Sequence, residues 1–101
     1  MNSITLVGRL ACPPEHRPVT SGTVCRLRLA VERRRGDCPI YIDVDTFGPV
    51  ASACEEHLGT GRKVAVLGRL EQDVWEGPDG TRRSKHRVAA STVEFLDRPG
   101  S

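Results

Sequence analysis

Apolar and polar residues alternate over most of the chain, the period of strands that are dry on one face and wet on the other. Residues 4–10, ITLVGRL, put Ile4, Leu6 and Leu10 on one side and Thr5, Val7 and Arg9 on the other. Over 24–33, Cys25, Leu27, Leu29 and Val31 share one face, and Arg26 and Arg28 the other. The alternation is cleanest over 40–47, IYIDVDTF. It assigns Ile40, Ile42 and Val44 to the core, and Tyr41, Asp43, Asp45 and Phe47 to the outside. A long strand over 62–75 turns Val64 and Val66 inward and leaves Arg69 and Trp75 on the opposite parity. Gly68 within it predicts a bulge or bend, which could disturb the parity of Trp75. The last strand, 82–96, ends on Val93, Phe95 and Leu96.

The breaks between these runs are equally legible. Residues 13–18, PPEHRP, hold three prolines and read as an interruption after the first strand. Thr20 to Thr23 signals a turn, Arg33 to Asp37 a charged hairpin connection, and Glu76 to Gly80 a tight hairpin turn. Residues 49–58 are the one helix candidate. Pro49 suits a first turn, Ala51, Cys54 and Leu58 follow helical spacing, and Gly59 suits a stop. The expectation is an all-β domain over 1–97, with a short tail over 98–101. It is a five-stranded OB-fold barrel with one short helix between strands 3 and 4. Other small barrels have five strands; the helix position selects this one.

Composition narrows the function. The chain has 101 residues, enough for one domain, and a net charge of only +2. Bulk charge therefore names no partner. The placement of charge says more: Lys and Arg gather at 26–35, 62–69 and 82–87, and acids at 37–56 and 71–79. No run approaches the roughly 20 apolar residues of a membrane span, and the first residues lack a secretory signal. A cytoplasmic, nucleoid-associated protein is expected. The four cysteines are spaced by 13, 13 and 16 residues without a C-x-x-C, so they read as buried or idle thiols. Cys12 and Cys38 fall in expected loops, which leaves a bridge within or between subunits open.

Catalytic readings find little. His16, His57 and His86 lack matching nucleophiles or ligand spacing, and the G-T-G-R-K at 59–63 is not a phosphate loop. Asp43 and Asp45 share a face, but polarising the strand or pairing with arginines suits them better than a metal. No enzyme activity, cofactor or metal is expected.

The aromatics carry the functional signal. The chain has Tyr41, Phe47, Trp75 and Phe95, and parity turns all but Phe95 away from the core, among charged residues. Outward rings can pack a subunit interface or cover a loop. They can also stack nucleobases, each stacked base contributing roughly 1–3 kcal/mol whatever its sequence. Arginines nearby can hold phosphates and stack as cations. Arg33, Arg34 and Arg35 would clamp a flexible backbone from the hairpin tip. Arg82, Arg83 and Lys85 form a second basic arm, and Arg9, Arg26, Arg28 and Arg69 lie on outward parities.

In order along the chain, MNSITLVGRL at 1–10, PPEHR with Ser21-Gly22, RLAV at 28–31, YIDVDTFG at 41–48, GRKVAVLGRLE at 61–71 with Trp75 and Asp79-Gly80, and VAASTVEFL at 88–96 resemble bacterial single-stranded DNA-binding proteins. The resemblance implies an OB-fold protomer assembling as a homotetramer, with a dimer as the other option. It implies base stacking on Tyr41, Phe47 and Trp75. It also implies a further ring after the second strand, where this chain has Val31-Glu32-Arg33-Arg34-Arg35, and basic residues before Trp75, where it has Glu71, Gln72 and Asp73. Family members continue into a linker and an acidic docking tip; here only Glu94 and Asp97 are acidic in the last ten residues. The reading is a domain cut from a longer chain or a short form, with no tip-docking partners expected. A second function fits the length: an OB adaptor resembling primosomal replication protein N, which acts mainly through protein partners.

Overall fold

Alternating apolar residues become strands here because each can bury one face against its neighbours. The computed structural model describes residues 1–19, 22–34 and 36–96. The elements are β1 (Ile4–Leu10), β2 (Glu15–Val19), β3 (Gly22–Val31), β4 (Ile40–Phe47), α1 (Gly48–His57), β5 (Lys63–Glu76) and β6 (Arg82–Phe95). The sheet runs β1-β5-β6-β4-β3-β2, and β1 also pairs with β3. That last pairing closes the ring β1-β5-β6-β4-β3-β1. All pairings are antiparallel except the short β4–β6 seam. This is the all-β OB fold expected from the sequence.

One element departs from the expectation. The proline-rich stretch at 13–18 does not simply interrupt the chain; residues 15–19 form β2, so the ring is accompanied by a sixth strand and the helix lies between β4 and β5. The physical reason is position. β2 is an edge strand whose one neighbour is β3. An edge tolerates a residue without an N–H, because the missing donor breaks no ladder on the open side. The Thr20–Ser21 turn, Arg35 and the tail over 98–101 lie outside the described residues.

The inner face matches the alternation. Leu10, Cys25, Leu27, Leu29, Val44, Val64, Val66 and Val88 are buried in one cluster. Ala51, Cys54 and Leu58 of the helical segment join it. Thr46, also inward, satisfies its hydroxyl by donating to the carbonyl of Cys25 at 2.8 Å. Ile40 departs from expectation: it is half exposed, because it opens β4 at the mouth of the ring with Val31 as its cross-strand partner.

Two glycines permit close approaches. A Cβ on Gly8 would stand 2.6 Å from the Ala30 carbonyl oxygen, where β1 crosses onto β3. A Cβ on Gly68 would stand 2.2 Å from the Ala89 oxygen. Gly68 faces the bulge that the sequence anticipated, but the extra residue belongs to β6. Leu67 pairs with Thr92 and Gly68 with Ala90, so Ser91 is the one left over. β5 therefore keeps its alternation through Gly68.

Past the Glu71–Arg87 pair, β5 and β6 leave the ring as a two-stranded arm, from Gln72 to the Gly77–Thr81 turn and back. Asn2 fastens its base. The Asn2 amide donates to the Leu70 carbonyl and its oxygen accepts from the Leu70 N–H, both at 2.8 Å. One side chain thus stands in for a strand residue beyond the Ile4–Gly68 pair.

Candidate nucleic-acid interface

The register assembles one outer face from four strands. On β3 it carries Val24, Arg26, Arg28 and Ala30, opposite Phe47, Asp45, Asp43 and Tyr41 of β4. The seam sets Asp43 beside Arg87 and Asp45 beside Ala89 of β6. Across β6, Arg87 faces Glu71, Lys85 faces Asp73 and Arg83 faces Trp75 on β5. Because the bulge leaves β5 unshifted, Trp75 keeps its sequence-derived parity and shares this face with Tyr41 and Phe47.

The three rings are 52, 45 and 47% exposed for Tyr41, Phe47 and Trp75. Tyr41 and Phe47 lie six positions apart on β4, about 20 Å at strand rise. Trp75 sits on the arm, beyond the Tyr41 end of β4. Phe47 stands at the other end, as the residue immediately before α1. The fourth aromatic, Phe95, is partly exposed near His57, with ring centroids 6.3 Å apart.

Of the two roles that the sequence leaves to Asp43 and Asp45, the structure shows pairing with arginines. They point outward, yet each is only 6% exposed, because cations from both neighbouring strands close over them. Arg26 grips Asp45 with two hydrogen bonds, Nε to Oδ1 at 2.7 Å and a terminal nitrogen to Oδ2 at 3.1 Å. Asp43 accepts from Arg28 at 3.0 Å and from Lys85 Nζ at 2.6 Å. Arg87 lies 3.5 Å from Asp45 and donates to Asp73 at 2.9 Å. The metal-pair alternative has no support in this arrangement, and no metal-binding cluster occurs among the described residues.

These contacts shift titrations in consistent directions. Burial raises the pKa of Asp43, but hydrogen bonds from Lys85 and Arg28 outweigh it and hold the carboxyl below the ordinary range. The Arg87 hydrogen bond lowers the pKa of Asp73. Asp45 raises that of Arg26, and Asp73 raises that of Arg87.

The expected cations divide into groups. Arg26, Arg28 and Lys85 lie on the shared face and are all ion-paired. Arg28 also stands over the Tyr41 ring, 5.7 Å from its centroid, within cation–π range. Arg69 and Arg83 share the face too, paired with Glu71 and Asp79. Arg33 and Arg34 lie in the β3–β4 connection, exposed and without an ion pair among the described residues. Arg9 extends the face sideways through the row Lys63, Arg9, Ala30, Tyr41, and donates to the Gly61 carbonyl at 2.9 Å. Arg82 is not brought to the site: it faces Glu76, on the side of the arm opposite Trp75. Arg87, read from sequence only as part of the basic run, is the cation that joins β4, β5 and β6. Its signal was present, since it has the parity of Lys85, but recognising it required the seam register.

The cysteines take no part. All four are free thiols, Cys12 and Cys38 exposed and Cys25 and Cys54 buried, so no Cys12–Cys38 bridge is formed within the protomer. Burial pushes the Cys54 thiol up to about 11. No helix among the described residues is long and apolar enough to cross a membrane.

Comparison with known proteins agrees with this fold. The Single-strand binding protein family matches residues 1–96. The single-stranded DNA-binding protein of Thermotoga maritima is 37% identical over 96% of this chain and 74% of its own length. The protein of that name from Clostridium perfringens is 36% identical over 96% of this chain and 67% of its own. That of Wolinella succinogenes is 33% identical over 99% of this chain and 67% of its own. The chain belongs to the single-strand binding protein family.

Proposed function

We propose that this protein binds single-stranded DNA without sequence preference, on the outer face of β3, β4, β6 and β5. One observation carries the reading: Tyr41, Phe47 and Trp75 project from a single face with about half their surface open, among guanidinium and ammonium groups. Exposed rings in water gain little for the fold, whereas each would gain roughly 1–3 kcal/mol by stacking a base. Arg33 and Arg34 supply free cations beside the Tyr41 end, where a phosphate backbone would enter. Binding, not catalysis, is the activity; it needs neither cofactor nor metal. The relatives' printed names favour this reading over a protein-docking adaptor.

The same reading makes the protein a cytoplasmic self-assembling one, as a homotetramer or a dimer. Val7 and Leu67, 46 and 43% exposed on a part of the ring away from the rings of the platform, offer an apolar patch that a second copy would cover. Solution mass, with and without reductant, tests that point and the exposed thiols together.

The binding test is direct. An oligo-dT should quench Trp75 fluorescence. Replacement of Tyr41, Phe47 or Trp75 by alanine should each weaken binding by about 1–3 kcal/mol without changing the unfolding midpoint. Absence of binding at low salt, or unfolding of all three variants, would overturn the assignment.

A further inference from the structure

The cations on the platform are not free charges. Arg26, Arg28, Lys85 and Arg87 surround Asp43, Asp45 and Asp73 in one connected network. Four positive groups thus meet three negative ones, leaving a net charge of +1 for the network. The layers are ordered. The side chains of Asp43 and Asp45 are 8% exposed, whereas those of Arg28 and Lys85 are 41 and 52% exposed above them. Asp73, half exposed, closes the network on the arm side. Arg69 and Arg83 on the same face are likewise paired.

We propose that these carboxylates act as built-in counter-anions of the DNA-binding face, so that the platform binds a strand with little release of salt ions. This rests on the single-stranded DNA reading above. Ordinarily a basic surface holds mobile anions and DNA holds mobile cations. Contacts between the two set free the ions condensed on the DNA, in proportion to the positive charge that the protein brings. Here three of the four charges that the network's cations bring are answered by Asp43, Asp45 and Asp73 before any phosphate arrives. The cations' remaining N–H groups can still donate to a phosphate, so orientation and short-range bonding survive while the long-range term shrinks. Salt sensitivity then comes mainly from cations outside the network, with Arg33 and Arg34 foremost, and the rings carry a larger share of affinity. The arrangement selects for a ligand that offers bases as well as phosphates. A purely polyanionic surface gains little from a network of net charge +1.

The test compares the salt dependence of oligo-dT binding by the parent chain and by Asp43→Asn, Asp73→Asn and Glu94→Gln. Each substitution removes one negative charge, but Glu94 belongs to no part of the network and lies near Thr5, Ala65 and Leu67, on another part of the ring. Asp43→Asn and Asp73→Asn should tighten binding at low salt. Each should steepen the slope of log K against log salt by about 0.7, the contribution of one additional charge on a single strand. Between about 50 and 200 mM salt that is an additional loss of about threefold relative to the parent. Glu94→Gln should leave the slope unchanged. Asp73 is half exposed, so its variant carries the test when Asp43→Asn fails to fold. Parental slopes or weaker low-salt binding in the Asp43 and Asp73 variants would overturn the inference, making the carboxylates simple holders of their cations. Equal steepening by Glu94→Gln would overturn it as well, because net charge alone would then be responsible. In both cases the parent still binds and the functional reading stands; a parent chain that fails to bind at low salt overturns both.

Discussion

β5 and β6 run from the ring into the arm, and the same alternation runs through both parts, but it does different things in each. In the ring, Val64 and Val66 of β5 are buried to within 1%. Further along the same strand and on the same parity, Leu70 and Val74 are 40 and 46% exposed. Nothing in the local sequence marks the change except Gly68. Alternation states which side chains share a face; whether anything packs opposite that face is decided by the other strands. The ring supplies an opposite wall and α1, and so converts alternation into a core. The arm has no opposite wall. There, alternation sorts side chains between two wet faces, one of which carries Trp75.

That contrast can be broken from the ring side first. Leu27→Ala removes a fully buried side chain and should cost about 2–5 kcal/mol in chemical denaturation. The equivalent truncation in the arm, Val74→Ala, should stay within about 0.5 kcal/mol. Equal losses would mean that the arm is packed in solution. At the junction, Gly68→Ala forces a methyl group against the Ala89 carbonyl and should cost about 1–3 kcal/mol, with Trp75 emission changed by the displaced arm.

A smaller effect is expected at the base of the arm. Asn2→Ala deletes both hydrogen bonds to Leu70 and should cost about 1 kcal/mol, lowered by solvent access. Hydrogen exchange should speed up at the Leu70 amide and along the arm while ring amides keep their protection; uniform acceleration would refute a local clamp. Smallest is the acid response. Asp43 and Asp73 titrate below their ordinary values in the folded chain, so they contribute stability above the unfolded carboxylate pKa of about 3.9 and lose it as pH falls through the folded values. Asp73→Asn should therefore differ from the parent in unfolding midpoint at pH 7 and converge with it at low pH. A gap that persists in acid would separate the effect from ionisation.

Much of this was legible in the sequence. The inward residues of β3 and β4, the helix over 49–58 and the outward rings all follow from spacing, because each depends on one element and its immediate period. What spacing could not convey depends on pairing between elements. Residues 13–18 read as a break because proline is hostile to strands with two neighbours, and only the topology leaves β2 (Glu15–Val19) with one. For Asp43 and Asp45 the sequence leaves two readings, a solvated face or pairing with arginines; that Arg26 and Arg28 stand directly across from them, which decides for pairing, is a matter of register. The strand holding the extra residue was also unreadable: Gly68 attracted attention to β5, whereas the bulge belongs to Ser91 on β6. Trp75 kept its parity for that reason.

The β4–β6 seam has a kinetic consequence. It consists of three parallel pairs, from Asp43–Arg87 to Asp45–Ala89, between residues 44 positions apart in the chain. Joining segments so distant requires a long loop to close for only a few ladder bonds, so this seam is expected to zip last during folding and to part first in native fluctuations. The Asp43–Lys85 and Asp45–Arg87 pairs act as latches across it. A strand lying from Tyr41 to Trp75 would cross the same line. Bound DNA would then act as a brake on ring opening, lengthening the lifetime of the fold along with its own.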